Sequence, residues 1–209
     1  MFVELIETLR CPSRHEESPL VVSAHRTEAR HIVEGTLGCP VCGATFPISG
    51  GVARFGEPSP TPAESASPEA AMRLAAFLEL TDARGFALLC GRWGAHIDLM
   101  LRLMETPIVL VNPPSSVPPD VASGVLVTRD AVPFAAGAAR AVALDDAPGD
   151  LVRSAVRAVR AGGRVVGPAS LPLPDGVVEL ARDERMWVGE KTAASDATPR
   201  LVEIRKATR

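Results

Sequence analysis

The sequence predicts an α/β protein in which a small β-rich module precedes a larger domain built on a mostly parallel sheet. A Pro/Ser-rich stretch over residues 57–67 has no large apolar side chain, so it cannot bury itself and reads as a linker. Short β-type runs surround a closely spaced cysteine pair before it, and apolar runs alternate with helical patterns after it. We therefore expect modules at 1–56 and 68–209, joined by the linker 57–67.

Composition limits the classes of function. The chain has 209 residues, of which 46% are hydrophobic, so it can bury a core. Its net charge of −3 does not favour electrostatic binding of nucleic acid. We see no signal segment and no apolar stretch long enough to span a membrane. Four cysteines, three of them clustered, fit a reducing compartment better than a disulfide framework. We expect a cytoplasmic protein.

The N-terminal module shows one helical pattern and several short strands. Leu5, Ile6 and Leu9 have helical spacing, and strands are expected near 20–22 and 31–33. Residues 46–52 read as a hairpin whose turn is supplied by Gly50 and Gly51. Such a small module has little core, so a bound metal ion would matter to its stability.

The cysteine spacing points to a metal site. Cys39 and Cys42 are separated by two residues and followed by Gly43, which makes a tight turn that can aim both thiolates at one ion. Zinc needs four ligands in a tetrahedron, and Cys11 supplies a third. The residue three positions after Cys11 is Arg14, where a second cysteine pair would be completed, and the next residue is His15.

Two interpretations of His15 remain open. Histidine is an ordinary zinc ligand, so His15 can complete a set with Cys11, Cys39 and Cys42 if the turn opens by one residue. Alternatively zinc is lost and His15 is a surface residue. His25 and His31 are weaker ligand candidates, and a redox role for the pair is poorer still because no long helix follows it to lower a thiol pKa.

The N-terminal motifs resemble the zinc-ribbon family of the small activator subunit of tRNA and protein methyltransferases. The residues that carry this resemblance are 9–12, 20, 38–43, 46–48 and 51–52. The resemblance implies a ribbon that supports a partner methyltransferase and has no catalytic group of its own. This sequence departs from the family at Arg14, where zinc-binding members carry a second cysteine.

The second part alternates strands and helices. Ser67 and Pro68 begin a helix that runs to about Leu80. A glycine turn at 91–94 follows the first strand and leads into a helix to Glu105. A helix over 150–160 is expected to stop at Gly162 and Gly163, and the proline-rich run 113–119 cannot form one. Strands are expected at 86–90, 108–111, 125–128, 141–144, 164–167, 186–189 and 201–204, the last two as an antiparallel pair.

This order resembles the class I S-adenosylmethionine-dependent methyltransferases over residues 68–209. The resemblance rests on the strand, glycine turn and helix at 86–105, the segment 130–134 before a strand, and the run 158–165. It implies a Rossmann-like sheet domain of the class I methyltransferase type, here preceded by the small zinc-ribbon-like β module.

The resemblance also implies where a cofactor would lie. Its glycine-rich turn maps onto Gly91, Trp93 and Gly94, with a tryptophan where the backbone should approach the ligand. Asn112 stands at the position of the ribose-binding acid, and Asp130 at that of the adenine-contacting acid. Asp145 and Asp146, at the end of the fourth strand, are the candidates for chemistry on a substrate. The plainer alternatives are that the two acids begin a helix and that Trp93 fills the core.

Three functions follow from these residues. The altered glycine turn, the missing ribose acid and the missing helix favour a methyltransferase-like protein that is degenerate in cofactor binding and acts as a scaffold or regulator. An active S-adenosylmethionine-dependent enzyme with unusual contacts is the alternative, and a pocket for another small molecule is the third. The fusion suggests that the ribbon packs on its own sheet domain or serves a protein partner, with zinc and S-adenosylmethionine as the candidate cofactors.

Overall fold

The computed structural model describes residues 1–58, 60–80 and 85–193. The N-terminal module begins with a 3-10 helix, Val3–Thr8, where the sequence predicted helical spacing. Its strands are β1 (Val21–Glu28), β2 (His31–Gly38), β3 (Thr45–Ser49) and β4 (Val52–Phe55). The β3–β4 turn falls at Gly50 and Gly51, with φ of 56° and 80°, because a tight hairpin turn needs the left-handed backbone that glycine adopts without strain.

The second part contains the expected alternation of strands and helices. Its helices are α1 (Pro68–Leu78), α2 (Ile97–Leu103) and α3 (Gly149–Ala158), with a 3-10 helix at Gly91–His96. Its strands are β5 (Ala87–Cys90), β6 (Ile108–Val111), β7 (Gly124–Thr128), β8 (Ala139–Ala143), β9 (Val159–Pro168), β10 (Val177–Arg182) and β11 (Met186–Lys191). The Ser67 side chain caps α1 by accepting a hydrogen bond from the Ala70 N–H.

Three sequence-based expectations need correction. The helix after β5 is shorter than predicted, since its first turn is 3-10 and it ends at Leu103. Gly162 and Gly163 do not stop α3; they lie inside β9, where the pairing with β8 shifts and accommodates an irregular stretch. The final antiparallel pair is β10 with β11, whereas the strand expected at 201–204 lies outside the described residues.

The eleven strands of the described residues belong to one sheet, in the order β1-β2-β3-β4-β7-β6-β5-β8-β9-β11-β10. Strands β5 to β9 pair in parallel, and β11 runs antiparallel to β9. Within the parallel part of the sheet, the chain passes from β5 outward to β6 and β7. It then returns to the other side of β5 and forms β8 and β9. This reversal of direction confirms the predicted Rossmann-like α/β fold and places a topological switch point between β5 and β8.

The N-terminal module extends this sheet through one strand pair. Strand β4 pairs in parallel with β7, from Val52 opposite Val125 to Phe55 opposite Thr128. The two parts also share one apolar cluster, in which Leu9 and Phe134 are fully buried and form an isolated antiparallel bridge. The structure therefore contains the contact between ribbon and sheet that the fusion suggested.

Helices cover both faces of the central strands. Along β5, Leu88 packs in the cluster that includes Leu151 of α3, while its neighbour Leu89 packs in the cluster that includes Leu74 of α1 and Met100 of α2. Successive strand residues point to opposite faces, so a strand buried on both sides reads as a continuous apolar run. No helix in the described ranges is long and apolar enough to cross a membrane.

Candidate functional site

A cluster of four metal-ligating side chains lies in the N-terminal module. The ligand atoms of Cys11, His15, Cys39 and Cys42 all lie within 4.8 Å of one another. The sulfurs of Cys11 and Cys42 are 3.8 Å apart, and Nε2 of His15 is 3.4 Å from the Cys39 sulfur. A tetrahedral zinc ion with ordinary bond lengths needs ligand separations of about 3.8 Å between sulfurs and about 3.5 Å between sulfur and nitrogen. These two separations match those of ligands that share one zinc ion, so the cluster could hold one.

Backbone hydrogen bonds hold the cysteine turn. Cys39 follows β2, its N–H donates to the Ala44 carbonyl at 2.9 Å, and its carbonyl accepts from the Gly43 N–H at 3.0 Å. Gly43 has a φ of 71°, which closes the turn in a conformation that disfavours other residues. Cys11 lies on a separate segment, where its N–H donates to the Ser18 carbonyl at 2.9 Å.

The environment favours thiolate at two of the three cysteines. Burial opposes ionisation of Cys39, but the backbone N–H groups of Cys42 and Val41 prevail and lower its pKa to about 6. The Ala44 N–H lowers the pKa of Cys42 as its main effect. Burial instead raises the pKa of Cys11. Thiolates are the form in which cysteine binds metal, so the turn is suited to a cation.

A hydrogen bond at Nδ1 orients the His15 ring so that Nε2 faces the thiols. Nδ1 lies 2.5 Å from the Glu16 carbonyl, which can only accept, so Nδ1 carries the proton and Nε2 presents its lone pair to the cysteines. This hydrogen bond raises the pKa of His15. The alternative histidines lie elsewhere: His31 packs its ring on Phe2 at 4.0 Å between centroids, and His25 is exposed on β1.

A second candidate site lies at the switch point of the sheet. The carboxyl ends of β5, β6, β7 and β8 surround a cavity of about 400 Å³, within the range of small-molecule sites. Gly91, Asn112, Asp145 and Asp146 line it, so the structure brings together four of the residues that the sequence singled out. Cys90 also lines it, and burial raises the pKa of its thiol to about 12, with the Asp145 charge adding to the shift.

Asp145 binds the glycine turn. Its Oδ2 accepts from the Arg92 backbone N–H at 2.8 Å, and its Oδ1 accepts from Arg92 Nε at 2.6 Å. Nη2 of Arg92 donates to Asp146 at 2.9 Å, and Asp146 also accepts from the Ser170 hydroxyl at 3.0 Å. The two acids therefore form an ion-pair network across the turn, in which the half-exposed Asp146 is the more accessible carboxylate.

Gly91 is required by this arrangement. Its φ is 59°, and a Cβ at this position would lie 2.1 Å from Asp145 Oδ2. Gly94 is close-packed for a different reason, since a Cβ there would meet Pro113 at 2.8 Å. Because Gly91 and Gly94 have no side chain, the Asp145 carboxylate and the proline-rich segment can pack directly against the turn.

Trp93 points away from the cavity. It is 6% exposed, packs in the cluster with Leu89 and Met100, and donates a hydrogen bond from Nε1 to the Leu144 carbonyl at 2.6 Å. Trp93 is not among the residues that line the cavity. Its indole therefore fills the core beside β5 and leaves the space above the turn open.

Asn112 uses its amide to join two strands. Its Nδ2 donates to the Thr128 carbonyl and its Oδ1 accepts from the Thr128 N–H, each at 2.8 Å. This pair extends the β6–β7 ladder by one side chain, which is possible because Asn112 adopts a φ of 51°. Asp130 lies outside this cavity; it borders a separate open surface with Ser13 and Arg14.

Sequence reasoning missed three residues of this site. Arg92 organises both acids, Thr128 binds the Asn112 amide, and Arg129 lines the cavity. The position of Arg92 directly after the first glycine of the turn is a signal that could have identified it. The strand register that brings Thr128 to Asn112 has no comparable local signal.

Comparison with protein-family models gives a match within the first module. Residues 3–51 match the model of the Trm112p-like protein family. No curated protein matches the chain.

Solved methyltransferase structures are similar in part. Geranyl diphosphate C-methyltransferase from Streptomyces coelicolor A3(2) is 18% identical, with a TM-score of 0.38, over 47% of this chain and 44% of that one. The tRNA (m1A58) methyltransferase TrmI from Aquifex aeolicus is 13% identical, with a TM-score of 0.46, over 67% of this chain and 73% of that one. The likeness to the first of these spans less than half of its length.

The assignment of the sheet domain follows from its own strand order and from the antiparallel β11. Residues 3–51 of this chain therefore match the Trm112p-like family, and the module that contains them continues into a Rossmann-like sheet.

Proposed function

We propose that this protein is a methyltransferase-like scaffold or regulator that is degenerate in cofactor binding. The observation that carries this proposal is the Arg92–Asp145 pair, since the carboxylate takes both the N–H of the glycine turn and the adjacent guanidinium. In Rossmann-like sites that backbone N–H is a donor for the ligand. Here the protein supplies its own carboxylate to the same donor.

The ribose end of the cleft supports the same conclusion. A cofactor ribose is held best by an acid that accepts from both hydroxyls. Asn112 has no charge, and one hydrogen of its amide and one lone pair of its oxygen are already used by Thr128. Asp130, the expected adenine contact, faces another surface. A class I cofactor would therefore find few free polar partners in this cleft.

A zinc ion in the ribbon is part of the proposal. Cys11, His15, Cys39 and Cys42 would hold it, and the closed set of four ligands is typical of structural zinc. When bound, the ion would link the segment that carries Cys11 to the turn after β2. The ribbon would then serve as a rigid extension of the sheet, presenting the exposed β1 edge to a protein partner. We place the protein in the cytoplasm, where thiols stay reduced.

One observation favours an active S-adenosylmethionine-dependent methyltransferase as the second candidate. The cavity of about 400 Å³ lies at the switch point, and Trp93 does not enter it. In an active enzyme, Arg92 would release Asp145 when the ligand's carboxylate arrives, and Asp146 would be the group nearest to solvent for binding an acceptor.

Calorimetric titration with S-adenosylmethionine and S-adenosylhomocysteine separates these candidates. We expect no heat of binding for the native protein at millimolar ligand. Asp145→Asn provides a matched variant, because it keeps the shape of the side chain and removes the charge that competes with the ligand. Micromolar binding to the native protein would overturn the scaffold proposal, whereas binding only to Asp145→Asn would support internal occupation of the turn.

A further inference from the structure

Described residues of the chain between the two modules line the cleft. We call residues 57–58 and 60–67 the crossing segment. Hydrogen bonds at three of its described residues anchor it to the sheet domain. Arg129 Nε donates to the Glu57 carbonyl at 3.0 Å, and the Thr61 hydroxyl donates to the Asn112 carbonyl at 2.7 Å. The Ser67 N–H donates to His96 Nδ1 at 3.3 Å, and Ser67 also caps α1. The segment is thus attached near both of its ends and in the middle.

The crossing segment forms one wall of the cavity. Glu57, Pro58, Pro60, Thr61 and Pro62 line it. Cys90, Gly91 and Asn112 at the ends of β5 and β6 line the same cavity. A molecule in the cavity would therefore contact both the crossing segment and the ends of these strands.

Little apolar burial holds the segment in place. It contains no large apolar side chain, and its prolines and small residues belong to neither buried cluster, whereas β5 and β6 beneath it are fully buried. Among its described residues, hydrogen bonds at Glu57, Thr61 and Ser67 hold it instead, so this region belongs to the part of the fold that opens most easily.

The hydrogen bond between Ser67 and His96 leaves the other ring nitrogen of His96 without a partner among the described residues. The His96 side chain is completely buried, and its Nε2 has no hydrogen-bond partner in the described part of the chain. Because Nδ1 accepts from Ser67, Nε2 carries the proton and is a buried, unsatisfied donor.

We propose that the crossing segment is a displaceable cover of the cleft. It opens by releasing the Glu57 and Thr61 anchors while the sheet stays folded, and it sets the access of small molecules to the cavity. This inference is independent of the proposed function, because access is controlled whichever small molecule the cavity takes.

The Cys90 thiol provides a native probe of opening. Cys90 lines the cavity and is 4% exposed, so a maleimide reagent reaches it only when the cleft opens. Tryptic cleavage after Arg84 and Arg92 isolates it on the peptide 85–92, away from the three ribbon cysteines. The experiment measures the labelling rate of this peptide with N-ethylmaleimide by mass spectrometry, in the full-length protein without denaturant and in low urea.

Two variants weaken the cover. Thr61→Val removes one hydroxyl at nearly constant shape, and Arg129→Met removes the donor to Glu57. We expect each single variant to raise the Cys90 labelling rate roughly fivefold, because the loss of one hydrogen bond changes an opening equilibrium by about fivefold. The double variant should raise the rate by about 25-fold if the two effects multiply. Thr27→Val, on the exposed part of β1, is the matched control and should label at the native rate.

Urea dependence distinguishes local opening from unfolding. If the cover opens by itself, the native labelling rate will hardly change in low urea, because little surface is exposed. Two results would overturn the proposal: native rates in both Thr61→Val and the double variant, or labelling that rises with urea as steeply as global unfolding. Neither readout depends on whether S-adenosylmethionine binds.

Discussion

Asp145 accepts two hydrogen bonds from Arg92, one from its backbone N–H at 2.8 Å and one from its guanidinium at 2.6 Å. The first joins the carboxyl end of β8 to the turn that follows β5, across the switch point of the sheet. A charge-assisted bond to a backbone N–H is stronger than a neutral one. The pair therefore both closes the turn and occupies the donor that a ligand would use.

Gly91→Ala should destabilise the protein by about 2–4 kcal/mol, because the new Cβ would collide with Asp145 and adopt a strained φ. Urea unfolding measures this loss. Gly176→Ala is the control, since its φ of 75° is similar but its nearest neighbour is 3.9 Å away. It should cost about 1 kcal/mol, the strain of the backbone alone. Equal losses in the two variants would contradict the close packing of Asp145 on Gly91.

Zinc should bind the ribbon with one ion per chain and stabilise it. Elemental analysis of the purified protein measures the ion, and a strong chelator should lower the melting temperature by removing it. His15→Ala should weaken retention of zinc by more than about 10-fold, because it removes one of four ligands and loss of a group that only supports a ligand already costs about 10- to 100-fold. His25→Ala is the matched control and should retain zinc fully. Equal retention in both variants would show that His15 is a surface residue.

The ribbon and the sheet domain should unfold as one unit. Leu9→Ala removes a completely buried side chain at the bridge to Phe134, so it should cost about 2–4 kcal/mol. Ribbon and sheet probes should still show a single transition, because β4–β7 pairing and the common core couple the parts. Leu180→Ala, at a side chain 51% exposed, should change stability by less than about 0.5 kcal/mol. Separate transitions in the native protein would contradict the coupling.

Stability should fall as the pH drops below about 6.5 because of His96. Burial lowers the pKa of His96 from its ordinary value of 6.5, so the unfolded chain takes up a proton before the folded protein does. The contribution of His96 to stability is thus complete above pH 6.5 and declines as the pH falls towards its folded-state pKa. Protonation would also remove the acceptor for the Ser67 N–H.

Urea unfolding at pH 8 and pH 5.5 tests this sign. The decrease in the free energy of unfolding from pH 8 to pH 5.5 should be larger for the native protein than for His96→Asn, whose side chain cannot titrate. His25→Asn serves as the matched control for replacing a histidine, since His25 is exposed on β1. An equal loss in native protein and His96→Asn would assign the pH dependence to other groups.

Local patterns in the sequence determined much of this protein. The spacing of Cys39, Cys42 and Cys11 identified the ribbon, and apolar runs of strand length identified most of the strands of the sheet. The turn at Gly91 was found because a strand followed by glycine has a local signature. Such features depend on neighbours within a few positions, so the printed sequence contains them.

Only the tertiary structure decided how those parts combine. It brought His15 to the cysteines, turned Trp93 into the core, and set the Asn112 amide against Thr128. It also paired β4 with β7 and brought the crossing segment to the cleft. Each of these depends on sheet register and on contacts between distant segments. A shift of one residue in register would reverse which side chains meet, and no local pattern specifies it.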